Sequence, residues 1–456
     1  MDNISWSQVD LIREVFRYQS RFEGSTMVFK IDYPVTEDPG FPGLVKDLAL
    51  LAKTSFKVII VPGAKENIDA LFKQYNVNPS GFISNNDSPL DFPVRVTTSQ
   101  AISYVEMAAF NVASRFMTFL SGSRIDAVIG NFVRARGLGV INGIDTEHTG
   151  TVDKIYADSI NRVLNLGMVP ILPCIGWSPS GKPYNVPSDE IALAISTTLK
   201  AAKLFIVSAH STVKANNLNI EGLDTRPDGS LIRLTPVQAQ TLIKINIESL
   251  EQDINAVPKK QYLREIKLAL RAIQSGIHRV HIIDGREEGS VLKELFSNLG
   301  VGMMIYADEY DSIRAFHSRD LPDILRLMEP LMQKGIIIRR TAEQIQDKKD
   351  DYSVLEIDGS IRACGALHNW GEEQGEIAAI ATDPMYTELG LGRKIVGYFI
   401  ERARKSKMRR VFALTTQTHD WFEYLGFKEV SVESLPEQKR KVYDQSRKSK
   451  VFALEL

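Results

Sequence analysis

The stretch GEIAAIATDPMYTELGLGRKIVGYFIERARKS, residues 375–406, decides the fold of the C-terminal third of this chain. It begins with the apolar run GEIAAIAT, which predicts a buried strand. It ends with KIVGYFIERARKS, where apolar residues recur at helical spacing. The connection between the two contains Gly390 and Gly392. Residues 375–406 therefore predict a strand, a glycine-containing loop and a helix that begins near Gly392.

The start of this helix is suited to bind an anion. The first backbone N–H groups of a helix have no partner within it, and the helix dipole favours negative charge there. Gly390 and Gly392 would let a diphosphate approach the backbone closely, and Arg393 and Lys394 add positive charge. The same residues fit an ordinary helix start with two turn glycines. The neighbouring segments have to decide between these two interpretations.

Composition limits the class of protein. A chain of 456 residues with 44% hydrophobic residues predicts two or more domains with sizeable cores. A net charge of −1 gives no indication of a nucleic-acid partner. The two cysteines, Cys174 and Cys364, are far apart in sequence, which fits a reducing compartment. Because we find neither a secretory signal nor an apolar run of membrane-span length, we expect a cytoplasmic protein.

Two domains with different orders of strands and helices are predicted. Over residues 1–303, apolar runs alternate with helical stretches such as residues 190–203 and 263–275, which predicts an α/β domain with a mainly parallel open sheet. The candidate strands are TMVFKIDY, KVIIVPG, VPILPCIGW, KLFIVSA and RVHIIDG. Residues 310–456 follow an α+β order, with a helix at residues 321–334 and a hairpin turn at Asp358–Gly359.

The strand, loop and helix, together with the following strand and the segment WFEYLGF, resemble the acyl-CoA-binding core of the GCN5-related N-acetyltransferases. That family's loop begins with Gln or Arg, where this chain has Thr387. The resemblance implies acetyl-CoA as co-substrate. The histidines have no carboxylate or cysteine partners at ligand spacing, so we expect no metal. Many members use a Tyr at the position of Phe422, so Tyr424 and Tyr443 are alternative acids. The candidate residues for acetyl-CoA are Ile380, Ala381, Thr382, Gly390, Leu391, Gly392, Arg393 and Lys394.

Three further segments, GIIIRRTAEQI, LTTQTHDWFEYLGF and SLPEQKRKVYDQSRKSKVFALEL, resemble the acetyltransferase domain of the N-acetylglutamate synthases. L-glutamate would then be the acceptor, and each of its carboxylates suits a guanidinium partner. The resemblance implies Glu376 as the general base and Thr415 as the acid for the leaving thiolate. Taken alone, the basic run would fit a solvated face or a nucleic-acid patch. The candidates for glutamate binding are Arg339, Arg340, Arg447, Lys448 and Ser449.

The N-terminal domain resembles the amino-acid kinases in GNFVRARGLGVINGIDTEHTGTVDKI, NVPSDEIALAIS and residues 278–308. Its phosphate-binding motifs differ from that family. The expected Lys-x-Gly-Gly reads Lys30 followed by Asp32 and Tyr33, and the segments at Pro62, VSAHS and RLTPVQAQT have also lost their motif residues. Since phosphoryl transfer depends on glycine loops and lysines around the phosphates, we predict that this domain is not a working kinase.

A kinase-like domain fused to this acetyltransferase is the arrangement of the bacterial-type N-acetylglutamate synthases. The resemblance implies that the first domain binds L-arginine as allosteric effector and that the chain forms a homo-oligomer, a tetramer or hexamer. The segment LIREVFRYQSRF is either an intersubunit helix or a core helix. The candidate effector residues are His278, Gly285, Gly300 and Gly302.

Three alternative functions stay open at this point. The chain could be an acetylglutamate kinase with an appended module, a non-catalytic arginine-sensing protein, or an acetyltransferase for another acidic amino acid. The altered segments KIDYP and VSAHS argue against the first. Thr387 and Phe422 keep the second in consideration, because both depart from the acetyltransferase pattern.

Overall fold

A computed structural model describes residues 15–16, 18–20, 22–77, 81–83, 94–210, 214, 218, 223–250, 257–296, 300–307, 311–357, 360–384, 386 and 390–456. Leu11, Ile12, the predicted turn at Asp358–Gly359 and Thr387 lie outside the described residues. The chain divides into two units, one of residues 5–308 and one that contains residues 309–456.

The N-terminal unit is built on an eight-stranded sheet. Its order is β14-β16-β15-β13-β1-β2-β10-β5, and all neighbours run parallel except β15 and β16, which confirms the predicted open, mainly parallel sheet. A four-stranded sheet, β12-β11-β6-β9, and two short ribbons, β3-β4 and β7-β8, complete this unit. The strands are β1 Thr26–Ile31, β2 Lys57–Pro62, β3 Phe82–Ile83, β4 Val94–Arg95, β5 Ala127–Ile129, β6 Val133–Gly137, β7 Val140–Ile141, β8 Ile144–Asp145, β9 Gly150–Ile155, β10 Val169–Ile171, β11 Ile175–Trp177, β12 Pro183–Asn185, β13 Lys203–Ser208, β14 Arg233–Leu234, β15 Arg279–Asp284 and β16 Met303–Tyr306.

Helices cover both faces of the eight-stranded sheet, which is why its central strands are apolar throughout. Along β1, Val28 packs into the core cluster on one face, and Met27 and Phe29 pack into the cluster on the other. The helices are α1 Tyr33–Thr36, α2 Phe41–Lys53, α3 Lys65–Gln74, α4 Ile102–Gly122, α5 Ala157–Asn165, α6 Ser188–Thr198, α7 Pro236–Leu250, α8 Val257–Gln274 and α9 Ser290–Phe296.

Two local predictions in this unit need correction. The run VPILPCIGW was predicted as one strand, but it forms β10 and β11 in different sheets. Pro173 lies between them, and a proline cannot donate to a sheet ladder. The helix predicted at residues 190–203 ends earlier, at Thr198. Lys203 is already the first residue of β13.

The C-terminal unit has a seven-stranded sheet with the order β17-β18-β19-β20-β21-β23-β22. Its neighbours are antiparallel except β20 and β21, so the sheet is mixed and mainly antiparallel, which is consistent with the predicted α+β order. The strands are β17 Asp311–Ala315, β18 Tyr352–Ile357, β19 Ser360–Asn369, β20 Gln374–Thr382, β21 Arg410–Thr415, β22 Lys428–Val430 and β23 Lys450–Glu455. The helices are α10 Leu321–Gln333, α11 Ala342–Asp347, α12 Leu391–Lys405, α13 His419–Tyr424 and α14 Glu437–Lys441.

The seven-stranded sheet is also covered on both faces. Helix α12 buries Ile395, Val396 and Phe399 against one face, and α10 buries Ile324 and Met328 against the other. The strand–loop–helix predicted from residues 375–406 is present, with the helix beginning one residue before Gly392. This places the glycine-containing loop at the end of the central strand β20.

Candidate active site

The seven-stranded sheet opens between β20 and β21. These parallel strands pair only over residues 374–376 and 410–412. Beyond Glu376, β20 stays paired with β19 and β21 with β23, but they no longer pair with each other. Backbone groups on the two diverging edges therefore line an open slot between the strands. The residues predicted to pair with the pantetheine arm are on the β20 edge of this slot: Ile380, Ala381 and Thr382.

A bulge in β20 shapes this edge. Ala379 has φ of +55°, and the pairing with β19 shifts at this point. Gly365 lies opposite, where a Cβ would be 2.5 Å from Ile380 Cδ1 and 2.7 Å from the ring of Phe399. Because such contacts do not occur between real atoms, only glycine fits opposite the bulge, and the bulge turns the end of β20 away from β21.

The helix that follows begins with the predicted glycine pair. Gly390 has φ of +61° directly before α12, a conformation that glycine adopts without steric cost. A Cβ on Gly392 would lie 3.1 Å from Trp421, so this residue has to stay small. The guanidinium of Arg393 lies 5.7 Å from the ring centre of Tyr424 and donates to its hydroxyl at 3.4 Å. The first turn of α12 thus combines backbone N–H groups that small residues leave accessible with the guanidinium of Arg393 at its edge. This arrangement suits an anionic ligand.

Glu376, the predicted base, is buried at the point where β20 and β21 diverge. The ammonium of Lys439 donates to both carboxylate oxygens at 2.7 Å. The indole N–H of Trp370 donates to Oε2 at 2.7 Å. A buried carboxylate needs such partners to stay ionised. Lys439 and Trp370 therefore hold the Glu376 carboxylate in place at the narrow end of the slot.

The neighbouring strand adds a histidine to this region. His368 of β19 is paired with Glu376 in the sheet register, and its Nδ1 lies 2.6 Å from Oδ2 of Asp351. Burial lowers the pKa of His368, although Asp351 and Glu376 oppose this. The imidazole is therefore neutral at physiological pH and adds no charge beside the carboxylate.

Thr415, the predicted acid, ends β21 and is buried. Its hydroxyl lies 2.7 Å from that of Thr418 and accepts the Thr418 backbone N–H at 3.0 Å. Since Glu376 is level with Phe412, Thr415 lies three residues, or about 10 Å, further along the slot. Phe422 packs in the core beside Phe427. Of the alternative acids, Tyr424 lies against Arg393 at the start of α12, and the Tyr443 hydroxyl donates to the Ser449 carbonyl at 2.6 Å.

The arginines predicted to bind the acceptor come from two distant segments that meet. Arg447 donates to the carbonyls of Gly335 and Ile336 at 2.9 and 3.3 Å. These carbonyls belong to the loop after α10 that continues to Arg339 and Arg340. Arg339 is exposed, and its closest ion-pair partner in the described residues is Glu329 at 3.9 Å. The structure therefore joins the two arginine segments. Lys448 is exposed and Ser449 half-buried at the start of β23.

The effector candidates fall at two ends of β15 in the other unit. His278 precedes this strand, whereas Gly285 follows it, about 20 Å away. Gly300 and Gly302 both precede β16. Because β16 runs antiparallel to β15 and Met303 pairs with Ile282, they lie at the same end of the strand pair as Gly285. The structure brings the three glycines together and separates His278 from them.

A buried carboxylate explains two of these glycines. Glu294 accepts the backbone N–H groups of Val301 and Gly302 at 2.8 Å, and a Cβ on Gly300 would strike its carboxylate. His281 donates to the other oxygen at 2.6 Å. Burial, with Lys203 nearby, lowers the pKa of His281 to about 4. Neutral His281 can then donate from Nδ1 to Glu294 while Nε2 accepts from Lys203 at 3.5 Å.

The kinase-like site of this unit is closed by ion pairs. Lys30 is buried, with Asp32 at 2.5 Å and Asp189 at 2.8 Å. Burial alone would lower the pKa of Lys30, but the two carboxylates raise it above its ordinary value. Asp32 stands at a position where a kinase has glycine. Its carboxylate pairs with the Lys30 ammonium, the cation that would otherwise contact a phosphate. The geometry agrees with the prediction that the kinase site has been lost.

The described residues show neither a candidate metal site nor a membrane-spanning helix. In the described part of the chain, no three His, Cys, Asp or Glu side chains are grouped to hold a metal ion. No helix among the described residues has the length and hydrophobicity needed to cross a membrane. Both cysteines are free and buried.

Comparison with known proteins agrees with both halves of this architecture. The profile of the amino acid kinase family matches residues 34–220, and that of the acetyltransferase (GNAT) family matches residues 320–427. The fold and the site define an N-acetyltransferase joined to an amino-acid-kinase-like domain. The amino-acid acetyltransferase of Salmonella typhimurium is 32% identical over an alignment of 460 positions that covers 98% of each chain. That of Escherichia coli K12 is 30% identical over 459 residues, again 98% of each. The chain belongs to the amino-acid acetyltransferase family.

Solved structures extend the similarity over the whole length. N-acetylglutamate synthase from Neisseria gonorrhoeae, complexed with coenzyme A and L-arginine, has a TM-score of 0.81 at 30% identity. The same enzyme complexed with coenzyme A and N-acetyl-glutamate has a TM-score of 0.59 at 31% identity. Each comparison covers 99% of this chain and 100% of the other. The resemblance drawn from the sequence motifs is therefore confirmed for both domains.

Sequence reasoning missed several residues of both sites. Lys439 and Trp370 were not predicted to contact Glu376, because one is 63 and the other six residues away in sequence. His281 could have been found, since a histidine inside the buried run VHII needs a hydrogen-bond partner. The partner itself, Glu294, lies on a helix that the apolar pattern alone does not connect to it.

Proposed function

We propose that this enzyme transfers the acetyl group of acetyl-CoA to the α-amine of L-glutamate, the reaction of N-acetylglutamate synthase and the first step of arginine biosynthesis. The proposal is supported most by one arrangement. Glu376 is a buried anion at the narrow end of the slot between β20 and β21. Arg447, bound to the loop that carries Arg339 and Arg340, belongs to the same domain. A base, a cofactor slot and paired cations are the three elements that this reaction requires.

Acetyl-CoA would bind along β20 and at the start of α12. The unpaired edge at Ile380, Ala381 and Thr382 offers main-chain groups to the pantetheine arm, as an added strand would use them. The N–H groups of residues 390–393 would bind the diphosphate at the positive end of the helix dipole, whereas the N–H of Lys394 already donates to the Gly390 carbonyl. Arg393 and Lys394 would add charge beside it. This binding mode places the thioester between the diverging strands.

L-glutamate would bind through its two carboxylates. A guanidinium presents two parallel N–H groups to one carboxylate, which makes arginine the best side chain for this task. Arg339 is exposed and Arg447 is fixed by two carbonyls, so one can adjust while the other is held. The remaining candidates, Arg340, Lys448 and the hydroxyl of Ser449, would supply further donors from the same two segments.

Direct transfer then needs three proton movements. Glu376 takes one proton from the acceptor ammonium, directly or through a water molecule, and later releases it to solvent. The free amine attacks the thioester carbonyl carbon, and backbone N–H groups near Ile380 and Ala381 stabilise the negative oxygen that forms. A C–N bond forms, the C–S bond breaks, and the second amine proton passes to solvent as the tetrahedral intermediate collapses. Thr415 is the proposed donor of a proton to the thiolate, and it recovers this proton from solvent. The products are N-acetylglutamate and coenzyme A, without an acetylated enzyme.

The acceptor can be identified by measuring thiol release from acetyl-CoA with each amino acid in turn. We expect turnover with L-glutamate and much less with L-glutamine, because the amide cannot pair with a second guanidinium. Aspartate serves as the control for acceptor length. Turnover with another amino acid and none with glutamate would refute the assignment.

The N-terminal domain is proposed to bind L-arginine and lower the rate of acetyl transfer. Gly300 and Gly302 lie beside Glu294, a buried carboxylate of the kind that a guanidinium or ammonium requires, and Gly285 lies at the same end of the sheet. The ion pairs of Lys30 with Asp32 and Asp189 support the prediction that this domain is regulatory and is not a working kinase. The homo-oligomer, a tetramer or hexamer, and the cytoplasmic location stay predictions. Phe16, in the segment LIREVFRYQSRF, is 64% exposed, which fits a contact between subunits.

Arginine should therefore reduce thiol release in a saturable manner at fixed acetyl-CoA and glutamate. Citrulline provides a matched control, because it replaces the guanidinium with an uncharged urea group of similar shape. We expect it to have little effect. A rate that does not change over the whole arginine titration would contradict the regulatory proposal, and a rise would reverse its sign.

A further inference from the structure

Lys439 makes a contact with the base that the reaction scheme above does not use. It lies on α14, which is only five residues long, and its side chain is buried although its neighbours Arg440 and Lys441 are exposed. Its Nζ is 2.7 Å from both carboxylate oxygens of Glu376. A lysine that turns inward from a basic surface helix loses hydration and side-chain freedom, so its buried position needs a reason.

Trp370 completes the environment of the same carboxylate. This residue follows β19, and its indole N–H donates to Oε2 of Glu376 at 2.7 Å. The ammonium of Lys439 lies 4.8 Å from the centre of its ring, within the range of a cation–π contact. The tryptophan therefore touches both members of the ion pair. Glu376, Lys439 and Trp370 form one group whose members fix each other.

The hydrogen bonds leave one side of the carboxylate open. A carboxylate has about four acceptor positions, two on each oxygen. Lys439 occupies one position on each oxygen, and Trp370 occupies a second on Oε2. One position on Oε1 is left by these two donors. If Glu376 takes a proton, Oε1 is the atom on which this arrangement leaves room for it.

Helix α14 is held against the strand that carries the register partner of Glu376. Leu435, just before the helix, is buried in a cluster with Phe412 of β21. The Arg410 guanidinium donates to the Ser434 carbonyl at 3.2 Å. The chain then continues from Lys439 to Arg447, the proposed carboxylate ligand. One continuous segment thus carries both the partner of the base and a residue of the acceptor site.

We propose that Lys439 is a positioning residue that, with Trp370, fixes the carboxylate of Glu376 so that Oε1 is the proton-accepting atom. This inference depends on Glu376 being the base of the proposed reaction. Lys439 touches neither the acceptor nor the thioester in this scheme, and it acts through Glu376 alone. The alternative is that the ion pair only stabilises the fold, in which case its loss would affect stability without a specific effect on proton transfer.

Any change of the rate with pH also depends on the other titratable groups around Glu376. His368 lies across from it in β19 and is hydrogen-bonded to Asp351. Lys348 lies 5.9 Å from the ring of Trp370. Of these groups, only Lys439 contacts the carboxylate itself. Because a neighbouring cation favours the anionic form of a carboxylate, removal of Lys439 is the change expected to alter the pH dependence of the rate most.

The experiment replaces Lys439 with Met and with Arg in the full-length enzyme. We expect Lys439→Met to lower kcat by about 10²-fold, as for a misplaced catalytic group. The acid side of the kcat/KM profile should move to higher pH by about one unit. Lys439→Arg should restore part of the rate and the original profile. Lys441→Met, which removes an exposed lysine of the same helix, should leave both unchanged.

A double variant separates positioning from stability. If Lys439 acts through Glu376, then Lys439→Met should cause little further loss in a Glu376→Gln background. Trp370→Phe, which keeps an aromatic ring but removes the N–H donor and part of the indole, provides a second test if Lys439→Met does not fold, and we expect a loss of several-fold in kcat. Unchanged kcat and pH profile in Lys439→Met and Trp370→Phe would overturn the proposal. Losses that multiply in the double variant would also overturn it. Full activity of Glu376→Gln alone would remove the base itself, and the positioning role with it.

Discussion

We expect Glu376→Gln to lower kcat by about 10²- to 10⁴-fold, the range that general base catalysis contributes. The amide preserves the shape of the side chain, and its oxygen can still accept from Lys439 or Trp370. It cannot take the proton from the acceptor ammonium. The rate is measured as thiol release at saturating glutamate, and binding of acetyl-CoA is measured separately by calorimetry. Binding should stay close to that of the unchanged enzyme, because the CoA contacts lie further along β20 and on α12.

The pH dependence of this variant supplies a second readout. The fraction of acceptor present as free amine rises with pH, so the residual rate of Glu376→Gln should rise steadily where the unchanged enzyme levels off. Glu401→Gln is a suitable control, since Glu401 is an exposed acid on α12 paired only with Arg404 in the described contacts. Turnover of Glu376→Gln equal to that of the unchanged enzyme would exclude Glu376 as the base.

We expect Arg447→Met to lower kcat/KM for glutamate by about 10- to 10²-fold, which corresponds to a charge-assisted hydrogen bond of 1.5–3 kcal/mol. The effect should fall mainly on the KM for glutamate, because this contact is made in the ground state and in the transition state alike. The KM for acetyl-CoA should not change. Arg447→Lys should be intermediate, since it keeps the charge but loses the planar pair of donors.

Arg447 also has a structural contact, so the measurement needs a check on folding. Its guanidinium binds the carbonyls of Gly335 and Ile336, and their loss could loosen the loop of Arg339. Thermal unfolding of the variant distinguishes loosening from loss of a ligand. Arg404→Met, which removes an exposed arginine from α12, is the matched control. A glutamate KM that stays the same in a folded Arg447→Met enzyme would show that Arg447 is not a carboxylate ligand.

The fold was predictable where the information is local. The strand β20, the glycine loop and α12 follow from apolar periodicity and two glycines within residues 375–406. The mainly parallel N-terminal sheet follows from apolar runs that alternate with helices. The division of VPILPCIGW between two sheets was missed, because a buried strand and a buried turn both read as apolar. Pro173 was the signal that a single strand could not continue.

The sites were only partly predictable, because their contacts join residues far apart in the chain. Glu376 could be proposed from its place before the loop, but its ion pair with Lys439 spans 63 residues. Arg447 could be proposed from the basic run, but its attachment to Gly335 spans 112 residues. In the effector region, His278 and His281 occur three residues apart, and the sequence pattern did not show which one is buried beside Glu294.

The two domains, the slot-forming strand with its loop, and the replacement of the kinase glycines by Asp32 and Tyr33 could all be recognised in the amino-acid sequence. These features depend on periodicity and on backbone conformations that few residue types can adopt. Which basic residue turns inward to Glu376, and which stays in water, is set by tertiary packing. That choice depends on strand register and on how α14 packs against β21, and the free energy of an ion pair depends on burial. A run of lysines and arginines contains neither piece of information until the chain has folded around it.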